Sequence, residues 1–98
     1  MATFRIKSAF QLTGRQFFIL GDILSGSIRK GMYANLKQIG INKSLIIEVI
    51  EFALHRKENK SWEDTCLGFS DLSETEKEFL KSNSPFSTPI TIEEENTD

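Results

Sequence analysis

The sequence predicts a mostly β fold, a small antiparallel barrel with one short helix near the C-terminus. From Phe4 onwards apolar residues alternate with polar ones, and a period of two is typical of strands that bury one face. Glycines divide the first third of the chain into apolar segments that are too short for ordinary helices: Gly14, Gly21, Gly26 and Gly31. We interpret these four glycines as structural positions at strand reversals and bends.

The first two strands are predicted on either side of Gly14. Residues 4–12 form the first strand, and Gly14 permits the reversal that follows, because glycine takes positive φ angles without steric cost. Residues 16–24 are apolar on both faces, which indicates a central strand. Gly21 lies inside this strand, where a glycine suggests a bulge or a tight bend at a barrel corner.

A turn between Gly26 and Gly31 leads to a third strand at about residues 32–38. Residues 45–54 are ambiguous, since their apolar residues fit one face of a helix as well as a strand. β-Branched residues occupy four positions of this segment and favour the strand: Ile46, Ile47, Val49 and Ile50. A polar loop is predicted at residues 58–61.

The C-terminal part contains a fifth strand, the helix and a last strand. Thr65, Leu67 and Phe69 alternate inward along the fifth strand. Residues 73–76 match a capping box, in which a serine hydroxyl and a glutamate carboxylate satisfy each other's backbone N–H groups. This motif predicts a helix that ends near Asn83.

The last strand is predicted around Ile90 and Ile92, and the preceding Pro85 and Pro89 favour an edge position for it. We predict one barrel domain at residues 1–92. The acidic residues 93–98 are predicted to form a disordered tail, because they follow the last apolar residue of the chain.

The composition is that of an ordinary globular domain, with 98 residues of which 39% are hydrophobic and 27% charged. The single cysteine, Cys66, leaves no internal disulfide framework and predicts a cytoplasmic location. No apolar run reaches the length of a signal-peptide core or a membrane span, so no membrane association is expected. Residues 1–43 carry seven basic residues against one acidic residue, and residues 44–98 carry five against thirteen. Such asymmetry indicates either a partner-binding face or two halves that neutralise each other.

The glycines between residues 14 and 31 belong to a longer pattern. It consists of Gly14-Arg15, the apolar pair Phe18-Ile19, Gly21, and the run Gly26-Ser27-Ile28-Arg29-Lys30-Gly31. The pattern resembles the second domain of the translational GTPases, the β-barrel found in elongation factor Tu, although Gln16 and Met32 depart from it. The resemblance implies a closed barrel of six to seven strands, here as a stand-alone chain. In the family this barrel contacts transfer RNA or ribosomal RNA through residues that have no counterpart in this sequence.

The sequence does not contain the residues that a GTPase uses to bind nucleotide. Gly26 and Gly31 have the spacing of a phosphate-binding loop, but Met32-Tyr33 follows where that loop requires Lys and Ser or Thr. Asn42-Lys43 begins like the guanine-recognising motif Asn-Lys-x-Asp, but Leu45 replaces its aspartate. We expect neither nucleotide nor any other cofactor to bind.

No catalytic constellation stands out, and we expect that the protein is not an enzyme. His55, Asp64 and Cys66 have the residue types of a thiol nucleophile set. Cys66, however, should point away from the inward face and His55 should lie at a strand end, so a structural cysteine and a surface histidine are the stronger interpretation. No spacing brings two soft metal ligands together, and no metal site is predicted.

Two features are candidates for partner binding. Arg5, Lys7, Arg29 and Lys30 lie at outward strand positions or on a turn, where they would form a basic patch suited to phosphate contacts. Trp62, in the polar loop, is a candidate aromatic anchor. Solvated basic side chains and a tryptophan folded back over the barrel end are the competing interpretations. The sequence therefore predicts a non-catalytic interaction module that binds a protein partner or itself, with an RNA- or ribosome-associated accessory protein as the alternative.

Overall fold

The computed structural model of the chain describes residues 1–11 and 13–95. Along these residues seven strands, one 3-10 helix and one α-helix follow each other: β1 (Ala2–Gln11), β2 (Phe17–Ser25), β3 (Tyr33–Asn35), the 3-10 helix (Leu36–Ile39), β4 (Ser44–Ile46), β5 (Val49–Lys57), β6 (Lys60–Phe69), α1 (Glu74–Asn83) and β7 (Ile90–Glu93). The fold is mostly β with one α-helix, which confirms the predicted class.

The seven strands of the described residues form one antiparallel sheet in the order β4-β3-β7-β1-β2-β6-β5. β7 is a central strand, since it pairs with β1 on one side and with β3 on the other. The predicted edge position of the last strand is therefore wrong. Both Pro85 and Pro89 precede β7, so that its backbone N–H groups are available on both sides.

β4 and β5 stand at the two ends of the strand order, yet only Ile47 and Glu48 separate them in the sequence. The N–H of Ile47 donates to the carbonyl of Met32, just before β3, over 2.8 Å. The N–H of Glu48 donates to the carbonyl of Gly68, in β6, over 2.9 Å. Two consecutive residues thus bond towards opposite ends of the sheet. The strand predicted at residues 45–54 is divided at this point into β4 and β5.

The hydrophobic core lies against one face of the sheet and is covered on one side by α1. Its large members come from five of the strands and from the segments that join them: Phe4, Ile6, Phe17, Ile19, Leu36, Leu45, Ile47, Leu67, Phe69, Ile90 and Ile92. α1 contributes Leu80, which is fully buried. Burial of each such side chain contributes about 1.5–3 kcal/mol to the stability of the fold. These contacts hold the sheet and α1 together.

Gly21 allows β1 and β2 to approach each other closely. Opposite it, β1 shifts register by one residue at Lys7 and forms a bulge. A Cβ atom on Gly21 would overlap the backbone carbonyl oxygen of Arg5, so only glycine fits at this position. The other three glycines of the pattern have positive φ angles of 76°, 75° and 96°: Gly14, Gly26 and Gly31.

Two predicted boundaries in the middle of the chain are wrong. The third strand ends at Asn35, earlier than predicted, because the Asn35 side chain accepts a hydrogen bond from the Lys37 N–H (3.0 Å) and caps the 3-10 helix. The polar loop predicted at residues 58–61 is only the two-residue turn Glu58-Asn59, since β5 and β6 stay paired up to it. Trp62 consequently lies in β6 and not in a loop.

α1 begins with the predicted capping box. The Ser73 hydroxyl accepts a hydrogen bond from the Glu76 N–H (3.1 Å), and the Glu76 carboxylate accepts one from the Ser73 N–H (2.8 Å). Lys43 Nζ lies 2.9 Å from the same carboxylate. The backbone hydrogen bond of Ser73, followed by the hydrogen bond and charge of Lys43, lowers the pKa of Glu76 below its ordinary value.

The predicted tail begins in ordered structure. β7 ends at Glu93, one residue beyond the predicted domain boundary, and the Glu93 carboxylate accepts a hydrogen bond from the Asn35 side chain (3.2 Å). The last three positions of the predicted tail, 96–98, lie outside the described residues.

Candidate interaction surface

A polar cluster lies on the face of the sheet opposite the core, and it contains two of the basic residues that the sequence marks as candidates. The cluster comprises Arg5, Lys7, Asp22, Asp64 and His55. Lys7 Nζ lies 2.8 Å from Asp64 Oδ1 and 3.4 Å from Asp22, and Arg5 lies 3.2 Å from Asp22. The hydrogen bond to Asp64 is the largest cause that raises the pKa of Lys7, against the opposing effect of burial. Arg5 and Lys7 are therefore held by carboxylates of their own chain.

Asp64 is the buried member of this cluster, with 4% of its side chain exposed. Its second oxygen lies 2.9 Å from His55 Nε2, but the ring N–H is not aligned with it, and within the described residues Nε2 has no hydrogen-bond partner. Trp62 stacks on the His55 ring at 5.3 Å and an interplanar angle of 16°. Trp62 is thus a half-exposed side chain at the rim of the polar cluster, and its predicted place in a loop is wrong.

Cys66 lies on the same face as the cluster and is buried. Burial raises the pKa of its thiol, and the nearby charges of Glu51 and Asp64 act in the same direction. Because the thiolate is the nucleophilic form of cysteine, this environment opposes the chemistry of a thiol nucleophile.

The other two basic candidates lie in the loop between β2 and β3, and the structure does not join them to the polar cluster. Both oxygens of Glu94 accept hydrogen bonds from one nitrogen of Arg29, at 2.6 and 2.7 Å. Lys30 is exposed and has no ion pair within residues 1–11 and 13–95. The four basic residues predicted as one patch are thus divided between two places, and three of them are paired with carboxylates.

Ion pairs also join the basic first half of the chain to its acidic second half elsewhere: Arg15 with Glu51, and Lys43 with Glu76. Together with the pairs of Lys7 and Arg29, they show that the two halves neutralise each other across the sheet. Arg15 also borders a cleft of about 300 Å³ beside the start of β2. Since its guanidinium is already paired with Glu51, the cleft does not offer an unpaired cation there.

The hairpin of β5 and β6 carries the largest exposed apolar side chains of the described sheet. Phe52 is 61% exposed and Leu54 is 60% exposed. Alternation along β5 places both on the same side as Ile50, which packs against the core. Phe52 and Leu54 therefore continue the core-facing side of the sheet beyond the point where other elements cover it.

β5 is also an edge strand, because β6 is its only partner among the described strands. We call the outer edge of β5, together with Phe52 and Leu54, the hairpin edge. Its backbone presents unpaired N–H and C=O groups, and an edge strand of nine residues is long. β4, at the other end of the sheet, has only three residues.

The residues of the hairpin edge are not among the candidates predicted from the sequence, because the strand is predicted to end at residue 54. A signal was present in the polar run His55–Glu63, which has the dipeptide Glu58-Asn59 at its centre. Glu58 has a positive φ of 56°, as the tight turns of two-residue hairpins require. Symmetric polar flanks around such a turn indicate a hairpin that extends beyond its core.

No group of three or more His, Cys, Asp or Glu side chains in the described part of the chain is placed to hold a metal ion. Among the same residues, no helix combines the length and the apolar character that crossing a membrane would need. Comparisons of the chain with protein-family models, with curated proteins and with solved structures found no match.

Proposed function

We propose that this chain is a non-catalytic protein-interaction module whose contact surface is the hairpin edge. The observation that carries the proposal is the exposure of Phe52 and Leu54 on an unpaired edge strand. Covering about 60% of each side chain would contribute roughly 1–2 kcal/mol per residue. The backbone of β5 can add hydrogen bonds of the kind that join an added strand to a sheet edge.

The raised thiol pKa of Cys66 supports a structural rather than catalytic role for this residue. A cytoplasmic location is part of the proposal, and the free, buried Cys66 is compatible with a reducing compartment.

Site-specific photocrosslinking tests the contact surface. A benzophenone amino acid at position 54 should form adducts in cells, whereas the same group at position 46 should not. Ile46 is a suitable control because it is 44% exposed but lies on β4, at the other end of the sheet. Equal adduct yields at the two positions, or none at position 54, would contradict the proposal.

We also propose that the sheet is a barrel closed at Ile47 and Glu48, as in the second domain of the translational GTPases, so that the outer edge of β5 beyond these two residues stays unpaired. Ile47 and Glu48 support closure, since their N–H groups bond towards opposite ends of the strand order. If the barrel is closed, these two amides should exchange with deuterium as slowly as those of the central strand β1. Exchange at the rate of an exposed edge would count against closure.

The alternative function, an RNA- or ribosome-associated accessory protein, has weaker support because Arg5, Lys7 and Arg29 are already paired with carboxylates. We expect no saturable binding of single-stranded or transfer RNA to the wild type, even at low salt. Salt-dependent binding that is lost when these three residues and Lys30 are neutralised would instead favour the alternative.

A further inference from the structure

We propose that the partner of the hairpin edge is a second copy of this chain, paired antiparallel along β5 about a two-fold axis at Ala53. The inference rests on the proposed function and names the partner of that surface. In a two-fold interface each strand meets its own copy, so one residue must lie opposite itself. The register of the pair is then described completely by the identity of that residue.

The length of β5 favours Ala53 as this residue. The strand runs from Val49 to Lys57, and Ala53 is its midpoint, so all nine residues of each copy find a partner. A two-fold axis at Phe52 or at Leu54 would leave the last residues of each strand without one. The ladder between β5 and β6 has no register shift, so the outer edge of β5 is regular along its whole length.

The apolar side chains fit the same register. With Ala53 opposite itself, Phe52 lies opposite Leu54 of the second copy, and the symmetry repeats the pair. Directly opposed side chains of antiparallel strands have Cβ atoms about 4.5–5.5 Å apart, close enough for an aromatic–aliphatic contact. A two-fold axis at Leu54 would place Phe52 opposite a charged residue, Arg56, and lose this contact.

The charges of β5 also match its own antiparallel copy. The acidic Glu51 is the third residue of the strand, whereas the basic Arg56 and Lys57 occupy its end. In the Ala53 register, Glu51, which also pairs with Arg15 of its own chain, lies opposite His55 of the second copy and diagonal to Lys57, on the same face. A two-fold axis at Phe52 would place the two Glu51 side chains diagonal to each other, which is a repulsive arrangement.

A disulfide trap tests the register. In the variant Ala53→Cys the two cysteines lie opposite each other, with Cα atoms about 4.5–5.5 Å apart, within the range that a disulfide spans. Glu51→Cys and His55→Cys are matched controls, because each residue lies four positions, or about 13 Å, from its own copy. Under mild oxidation we expect at least about tenfold more covalent dimer from Ala53→Cys than from either control alone. A mixture of the two controls should form the heterodimer.

All variants are made in the background Cys66→Ala, because Cys66 lies directly opposite Glu51 in the ladder between β5 and β6 and could form an intramolecular disulfide with Glu51→Cys. If Phe52→Cys formed more dimer than Ala53→Cys, the Ala53 register would be wrong.

Sedimentation of the wild type tests the second copy without any substitution. We expect a mass that rises with concentration towards twice the 11.2 kDa of one chain, and a monomer for Leu54→Glu. If the wild type stays monomeric while the crosslinker at position 54 captures other proteins, the partner is not a second copy of this chain, but the proposed function stands. A monomer with no adducts at position 54 would overturn both.

Discussion

Replacement of Gly21 by alanine should destabilise the fold more than replacement of any glycine that is needed only for its φ angle. The new Cβ atom would overlap the carbonyl oxygen of Arg5 in the neighbouring strand. That oxygen belongs to backbone in the bulge region of β1, so no side-chain rotation can relieve the overlap. β1 and β2 would have to separate at this point, in the middle of the sheet.

The magnitude follows from comparison with Gly31. A Cβ atom on Gly31 has no neighbour within 4 Å, and its cost is the strain of a φ angle of 96° alone. That strain is about 1–2 kcal/mol. For Gly21→Ala we expect at least about 3 kcal/mol, the upper end of the range for overpacked sites. In a domain of this size, 1 kcal/mol corresponds to roughly 4–8 °C in Tm.

Thermal and urea unfolding of the wild type, Gly21→Ala and Gly31→Ala give the required comparison. We expect the Tm of Gly21→Ala to fall by roughly 12 °C or more, and its β1 and β2 amides to lose protection against hydrogen exchange. Gly31→Ala should keep that protection. Equal losses of stability in the two variants, or a Gly21→Ala protein that melts like the wild type, would refute the close approach of the two strands.

Four further outcomes follow from the polar cluster and the helix cap. A double-mutant cycle of Lys7→Met and Asp64→Asn should give a coupling of about 1 kcal/mol, modest because the Lys7 side chain is over a third exposed. Because the pKa of Lys7 is raised in the folded protein, protonated Lys7 stabilises the fold below the ordinary lysine pKa of 10.5. This stabilisation should be lost as the pH rises through the pKa of Lys7 in the folded protein. Alkaline unfolding of Lys7→Met should not show the loss. Ser73→Ala should cost about 1 kcal/mol in urea unfolding. Because the pKa of Glu76 is lowered in the folded protein, ionised Glu76 stabilises the fold above the ordinary glutamate pKa of 4.5. This stabilisation should be lost as the pH falls through the pKa of Glu76 in the folded protein. Acid titrations of the stability of Glu76→Gln should not show the loss.

Local sequence signals predicted the elements whose cause is local. The capping box of α1 depends on two residues three positions apart, and both hydrogen bonds of the box form. The alternation of Leu67 and Phe69 likewise depends only on the pleat of one strand, and both side chains are buried.

The features that the sequence did not predict depend on contacts between distant residues. The central position of β7 follows from its pairing with both β1 and β3, and nothing in residues 90–93 specifies those partners. The polar cluster joins Lys7 to Asp64, which lie 57 positions apart, and no spacing rule relates such residues. The exposure of Phe52 and Leu54 depends on where the core ends, and this is a property of the assembled sheet.

Charge is distributed unevenly between the two halves of the chain and also along β5. Ion pairs within the described residues account for the first asymmetry but not for the second. The basic first half and the acidic second half meet in ion pairs across the sheet, such as Lys7 with Asp64 and Arg29 with Glu94, so this asymmetry requires no external anion. The asymmetry along β5 is different, because Arg56 and Lys57 have no ion pair within residues 1–11 and 13–95. These two cations lie beside apolar side chains on an open edge, where an added strand would have to bring its own acidic residues. In the proposed Ala53 register, Glu51 of a second copy lies diagonal to Lys57 and would supply an acidic residue there, which favours the proposed self-association over binding to a nucleic acid.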